Sequence, residues 1–91
     1  MPFVYILECG DGSFYTGSTW NLKLRIQQHY EGQGSNYTKR RLPLKLVYFE
    51  EYERMSDAYA EEKQIQKWRR EKKIALIKDD FDGLASKTPS K

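Results

Sequence analysis

The feature that most limits how this chain can fold is its opening. Phe3-Val4-Tyr5-Ile6-Leu7 is a continuous apolar run with aromatic and β-branched members. It is followed by the turn signal Gly10-Asp11-Gly12-Ser13 and by a second β-prone stretch, Tyr15-Thr16-Gly17. Such a run reads as a central strand buried on both faces, and glycine beside aspartate closes hairpins. Residues 3–18 are therefore expected to form a hairpin, with Ser13 to Ser18 returning. The parity of the turn sets which side chains share a face. A two-residue Asp11-Gly12 turn sends Tyr5 and Tyr15 to opposite faces. An odd-length loop, or a bulge at Gly10 or Gly12, places them on the same face. The sequence leaves both open.

Downstream, Asn21 is an N-cap for a helix running to about Tyr30. At about 100° per residue, Leu22, Ile26, His29 and Tyr30 fall on one stripe with Arg25 at its edge. Arg25 and His29 are four apart and stand on neighbouring turns. A polar, glycine-rich loop, Glu31 to Asn36, leads to a helical turn over Tyr37 to Arg41 that Pro43 limits. Leu44 to Glu51 is expected as the third strand, with Leu46, Tyr48 and Glu50 alternating against Val47, Phe49 and Glu51. Ser56 reads as the N-cap of a helix to roughly Arg70, with Met55, Ala58, Glu62, Ile65 and Trp68 inward. Glu71 to Lys78 reads as a further helix or a continuation, with Ile74 and Ile77 inward. From Gly83 the periodicity ends, so residues 1–82 are expected as one domain and 83–91 as a flexible tail.

With 91 residues, the chain can bury roughly 60–70% of its unfolded surface around one core. No stretch approaches the ~20 apolar residues of a membrane span, and the start carries no signal-peptide pattern. The lone Cys9 has no internal disulfide partner, which points to a reducing cytoplasm. Net charge is +3 and the pI about 9.0, a mild preference for anionic partners. The cations cluster in Lys39-Arg40-Arg41 and in Lys67, Arg69, Arg70, Lys72 and Lys73. These are candidate phosphate contacts, with a solvated helical face as the alternative for the second run.

The residues that could carry chemistry are two phenols, Tyr5 and Tyr15, the Arg25 guanidinium, the single histidine His29, and a carboxylate on the inward stripe of the third helix. Gly17, two positions after Tyr15, would weaken a strand unless something must approach it closely. Arg25 offers a planar fork that matches phosphate. His29 can move a proton near neutrality, although a lone histidine on an apolar stripe is more often a packed residue. A carboxylate on an apolar stripe needs a partner. Periodicity alone does not separate Glu61 from Glu62 in that position. One carboxylate suits Mg²⁺, which keeps waters and takes phosphate oxygens. No Cys and His set has zinc spacing, and there is no P-loop or dinucleotide fingerprint.

The ordered set Phe3-Val4-Tyr5, Tyr15-Thr16-Gly17, Asn21-Leu22-x-x-Arg25-x-x-x-His29, Gly34-Ser35-x-Tyr37-Thr38, Arg41-x-Pro43-x-x-Leu46-Val47-Tyr48 and Ala58-x-x-x-Glu62-x-x-Ile65-x-x-Trp68 resembles the GIY-YIG nuclease superfamily. It is similar to the small stand-alone bacterial type and to the N-terminal nuclease domain of the excision-repair endonuclease. The first two motifs keep the tyrosines and the last glycine but depart from Gly-Ile-Tyr and Tyr-Ile-Gly elsewhere. The resemblance implies an α+β fold, a three-stranded antiparallel sheet flanked by helices in the order ββα(α)βαα. It implies a site of Tyr5, Tyr15, Arg25 and His29 and selects Glu62 as ligand of one divalent ion, Mg²⁺ or Mn²⁺. The implied activity is endonucleolytic hydrolysis of nucleic acid, with DNA as the expected substrate and repair or recombination as the setting. The alternative is a non-catalytic nucleic-acid-binding module on the same fold. A monomer is the default expectation, with room for a targeting protein partner.

The resemblance also implies that a tyrosine, Tyr5 or Tyr15, acts as general base, which poses a physical problem. A free phenol has a pKa of ~10, and lowering it by about 3 units takes roughly 4 kcal/mol of phenolate stabilisation.

Overall fold

The computed structural model describes the backbone of residues 1–84 and the side chains through Asp79. The chain runs β1 (Phe3–Glu8), β2 (Phe14–Thr19), α1 (Leu22–Tyr30), α2 (Asn36–Lys39), β3 (Lys45–Glu51), α3 (Met55–Gln66) and α4 (Arg70–Leu84). The three strands form one antiparallel sheet in the order β2-β1-β3. The fold is thus the expected α+β arrangement. The continuous apolar run is central, and Val4, Tyr5, Ile6 and Leu7 are at most 1% exposed.

The hairpin parity is now fixed. Cys9 donates its amide to the Ser13 carbonyl, Gly12 donates to the Cys9 carbonyl, and Gly12 has φ 86°. This is a three-residue loop with glycine in the left-handed position, the type I turn plus bulge that closes odd hairpins. Tyr5 consequently pairs with Gly17, and Leu7 with Tyr15. Side chains of paired residues share a face, so both tyrosines lie on one side of the sheet.

That side carries Tyr5, Leu7, Tyr15 and Leu46, covered by Leu22 and Ile26 of α1. The other carries Val4, Ile6 and Tyr48 under Ala58 and Ile65 of α3, with Trp68, Leu76 and Ile77 packed against them. The strict alternation expected for β3 does not hold. A register shift opposite Ile6 and Leu7 pairs Ile6 with Tyr48 but Leu7 with Leu46. Leu46 therefore joins Phe49's face, because the extra residue of a bulge reverses alternation past it.

Several boundaries also differ from expectation. α3 begins at Met55 after Arg54, with no side-chain cap, and the helix is interrupted over residues 67–69 before α4. Tyr30 is 48% exposed. It ends the helix beside the sheet edge, where its hydroxyl accepts from the Leu46 amide at 3.3 Å. Gly83 and Leu84 are helical, and the rest of the expected tail lies outside the described residues. Among those described, no helix is long and apolar enough to cross a membrane.

Candidate active site

The site is built around the pair Tyr5·Gly17. The Tyr5 ring lies across Gly17 so closely that a Cβ there would stand 2.5 Å from the Tyr5 hydroxyl. Glycine is thus needed for space, as its place inside a strand suggested. Tyr5 Oη meets His29 Nε2 at 2.9 Å, and His29 Nδ1 meets Thr38 Oγ1 at 3.0 Å. Tyr15 packs tilted against both rings, with centroids 6.4 Å from Tyr5 and 5.3 Å from His29.

His29 itself is 0% exposed. Burial, with the Arg25 charge adding, pushes its pKa down to about 4. It is therefore neutral at physiological pH, with one ring nitrogen donating and the other accepting. Thr38 completes the arrangement from α2, whose capping box ties Ser35 and Thr38 together. Gly34 lies so close over the His29 ring that a Cβ would overlap it. Gly34-Ser35-x-Tyr37-Thr38 is thus the lid of the histidine, a role that spacing did not reveal because the contact is tertiary.

Arg25 projects from α1 and is steadied at both terminal nitrogens, Nη1 donating to Gln28 Oε1 and Nη2 to the Gly34 carbonyl, each at 3.2 Å. Of its five N–H groups, these bonds leave three for a ligand. Burial pushes the Tyr5 pKa up to about 12. Arg25 opposes that rise, while the charges of Tyr15 and Glu62 add to it. The protein alone thus favours a neutral phenol.

Glu62 comes from the opposite layer and meets Ser18, whose pairing with Val4 places it on the α3 face of the sheet. Its Oε1 accepts from Ser18 Oγ at 2.5 Å and its Oε2 from Gln66 Nε2 at 2.8 Å. Gln66 also donates to the Thr16 carbonyl. The charge expected to need a cation is instead met by neutral donors, and Arg41–Asp11 is the ion pair found among the described residues. Sequence reasoning assigned no role to Ser18, Gln28 or Gln66, and quoted Gly34 and Thr38 in a motif without a role; those of Ser18, Gly34, Thr38 and Gln66 depend on partners distant in the chain.

The donor set can be tested against a metal. Among the described residues no three His, Cys, Asp or Glu side chains cluster. A site with Glu62 as its one carboxylate excludes an all-protein cage but suits an ion that takes the rest of its shell from water and phosphate. The buried Thr16 Oγ1, with no hydrogen-bond partner among the described residues, lies on β2 two residues before Ser18.

The basic runs flank the hairpin tip. Arg41 pairs with Asp11 at 3.1 Å and stacks on Tyr37. Arg70 donates to the Gly12 carbonyl at 2.6 Å and covers Phe14. Lys72 covers Trp68. These three have structural partners, whereas Lys39, Arg40, Lys67 and Arg69 are exposed and Lys73 half-buried.

The His29 environment gives a first testable result. Its folded pKa lies below the unfolded value, so the unfolded chain binds the proton first as pH falls. Its contribution is present above about pH 6.5 and is lost toward pH 4, by up to about 3 kcal/mol. Denaturant midpoints measured across that window should fall steeply in the wild type and less in His29→Gln. Parallel curves would remove His29 from the buried, neutral role.

Residues 1–75 match the GIY-YIG catalytic domain. UPF0213 proteins of Staphylococcus aureus strains Mu50 and N315 are each 48% identical over 77 residues, covering 85% of this chain and 94% of theirs. The solution NMR structure of a UPF0213 protein from Bacillus halodurans is 39% identical with a TM-score of 0.57, covering 86% of this chain and 84% of that one.

Proposed function

The chain belongs to the GIY-YIG nuclease superfamily, and from that premise we propose that it is a divalent-metal-dependent endonuclease that hydrolyses phosphodiester bonds in DNA. The observation that carries the reading is the grouping of Tyr5, Tyr15, Arg25 and His29 on one sheet face, with Glu62 bonded to Ser18 of β2 from the opposite layer. The composition of the group matters more than any one member. It offers hydroxyls to relay a proton, a fork to hold phosphate, and one carboxylate.

In this reading Arg25 binds the scissile phosphate with the N–H groups left by Gln28 and Gly34, and stabilises its growing charge. One phenol, Tyr5 or Tyr15, takes the proton of the attacking water. At Tyr5 the phenol would pass its own proton to the bonded His29 Nε2 in the same step, instead of existing first as a free phenolate, which the raised Tyr5 pKa disfavours. Thr38 and Gly34 hold the imidazole in place. Nucleases of this family generally use a divalent metal. Glu62 would hold the ion, which would act as a Lewis acid on the phosphate. Mg²⁺ and Mn²⁺ both fit one carboxylate. Repair or recombination is the setting we infer for such an activity, in the cytoplasm and as a monomer, with any targeting supplied by a partner chain.

The experiment is purified protein on end-labelled single-stranded, branched and duplex DNAs, with and without Mg²⁺ or Mn²⁺. Cleavage requiring the metal is the expected result. Binding without cleavage on every substrate would return the chain to the non-catalytic module. Binding should also weaken steeply with salt, the log–log slope being about −0.9 per phosphate contacted on duplex. Alanine at Arg69 and Lys73 should make the slope shallower. An unchanged slope would leave that run a solvated face.

A further inference from the structure

Beside the catalytic group lies a cavity of about 600 Å³ lined by Phe3, Trp20, Asn21, Leu22, Lys23, Ile26, Leu46 and Phe49. Three of its walls are aromatic and two of these stand open to solvent, Trp20 at 64% and Phe49 at 50% exposure. Phe3 and Phe49 meet edge to face, with centroids 6.2 Å apart. Nothing in the catalytic reading uses these rings. We propose that the cavity is a subsite for one unstacked nucleobase of the strand being cut, held between Trp20 and Phe49. The proposal rests on the nucleic-acid reading above and adds to it a second point of contact.

Position supports this occupant. Phe3 pairs with Thr19, the same-face pair next to Tyr5·Gly17. Two residues along a strand advance roughly 6.6 Å, about the reach of one extended nucleotide. On α1 the cavity residues Leu22 and Ile26 bracket Arg25. A phosphate at Arg25 therefore places the neighbouring base at the mouth of the cavity.

Charge points the same way. The lining contains Lys23 and no carboxylate. A polyanion lying along this face meets no negative side chain in the cavity and one cation, Lys23. Asn21 supplies one polar contact. Its carbonyl oxygen is committed to the Leu24 amide, leaving its NH₂ to donate to a base edge. The floor of Leu22, Ile26 and Leu46 carries no polar side-chain atom. Recognition would then be by stacking, which every base can satisfy, with little sequence preference.

The test uses Trp68→Phe protein, so that Trp20 is the remaining tryptophan. Short oligothymidylates are titrated at low salt without metal, alongside the same oligomers carrying one abasic residue at successive positions. Fluorescence should be quenched by the intact oligomer, and one abasic position should restore it and weaken binding about 5- to 100-fold. Trp20→Ala and Phe49→Ala, both at exposed positions, should weaken binding by a similar factor, while Trp20→Phe retains it. If every abasic oligomer binds as the intact one does, the subsite is wrong, although cleavage in the separate assay would still uphold the nuclease. If the wild type sediments as a dimer that Trp20→Ala dissociates, the cavity is a contact between copies and the proposal falls. If no oligomer binds at all, the subsite is wrong, and the separate cleavage assay decides the nuclease reading.

Discussion

Glu62→Gln is expected to lose metal-dependent cleavage by at least about 10²–10³-fold while keeping the fold. Glu62 is the only catalytic candidate on α3, and its two oxygens accept from Ser18 and Gln66. Gln is nearly isosteric and can keep the Ser18 bond. Its new NH₂ then faces the Gln66 amide donor, which costs on the order of one neutral hydrogen bond, about 0.5–1.5 kcal/mol. For a domain of this size, that is a midpoint drop of roughly 4–8 °C per kcal/mol. The protein should therefore stay folded and bind DNA at low salt, while lacking the charge that holds a divalent ion.

Arg25→Lys should also lose much of the rate despite conserving charge. An ammonium cannot be braced by Gln28 and Gly34 and still present a fork to phosphate. The readouts are single-turnover cleavage in Mg²⁺ and in Mn²⁺, together with thermal midpoints. If Glu62→Gln unfolds the chain, the carboxylate is structural and the metal assignment goes. If it cleaves like the wild type, Glu62 is not the ligand.

The second large effect is expected from Gly17→Ala. In a strand, replacing glycine by alanine ordinarily stabilises by about 0.4–1 kcal/mol. Here the new methyl would stand 2.5 Å from the Tyr5 hydroxyl and 2.7 Å from its Cζ. The ring cannot yield easily, because Tyr5 is buried and its hydroxyl is held by His29. Overpacking of this kind costs about 1–3 kcal/mol, so the steric term outweighs the entropic gain and the midpoint falls. Cleavage should fall with it, since the shift that relieves the clash breaks the Tyr5–His29 bond. Gly34→Ala should act on the same network from the other side, against the His29 ring. Gly17→Ala in a Tyr5→Phe background should recover part of the stability and none of the activity. A Gly17→Ala protein as stable and as active as the wild type would refute the close approach on which the site geometry rests.

Much of the architecture could be read in the chain because it depends on local signals. The apolar run Phe3–Leu7 demanded a central strand, and Asn21 capped α1 where its side chain could reach the Leu24 amide. The order of motifs identified the family; its choice of Glu62 over Glu61, which helix periodicity left undecided, stands as a proposal. What failed depended on how the elements end and meet. Alternation along β3 predicted one face for Leu46 and Tyr48, and the bulge separated them. The stripe on α1 predicted a buried Tyr30, which instead ended at the sheet edge. The helix expected to run to Arg70 ended at Gln66.

The sequence by itself determined which side chains were available for chemistry and the elements that carry them, since strand, turn and helix preferences act over a few residues. Only the tertiary structure decided which of them meet. The three-residue hairpin loop turned Tyr15 to the side of Tyr5. Packing of α1 and α2 buried His29 between Tyr5 and Thr38, and α3 delivered Glu62 to Ser18 across 44 positions of sequence. Such contacts form when sheet and helix faces close on one another. Side-chain spacing along a single element carries no record of them.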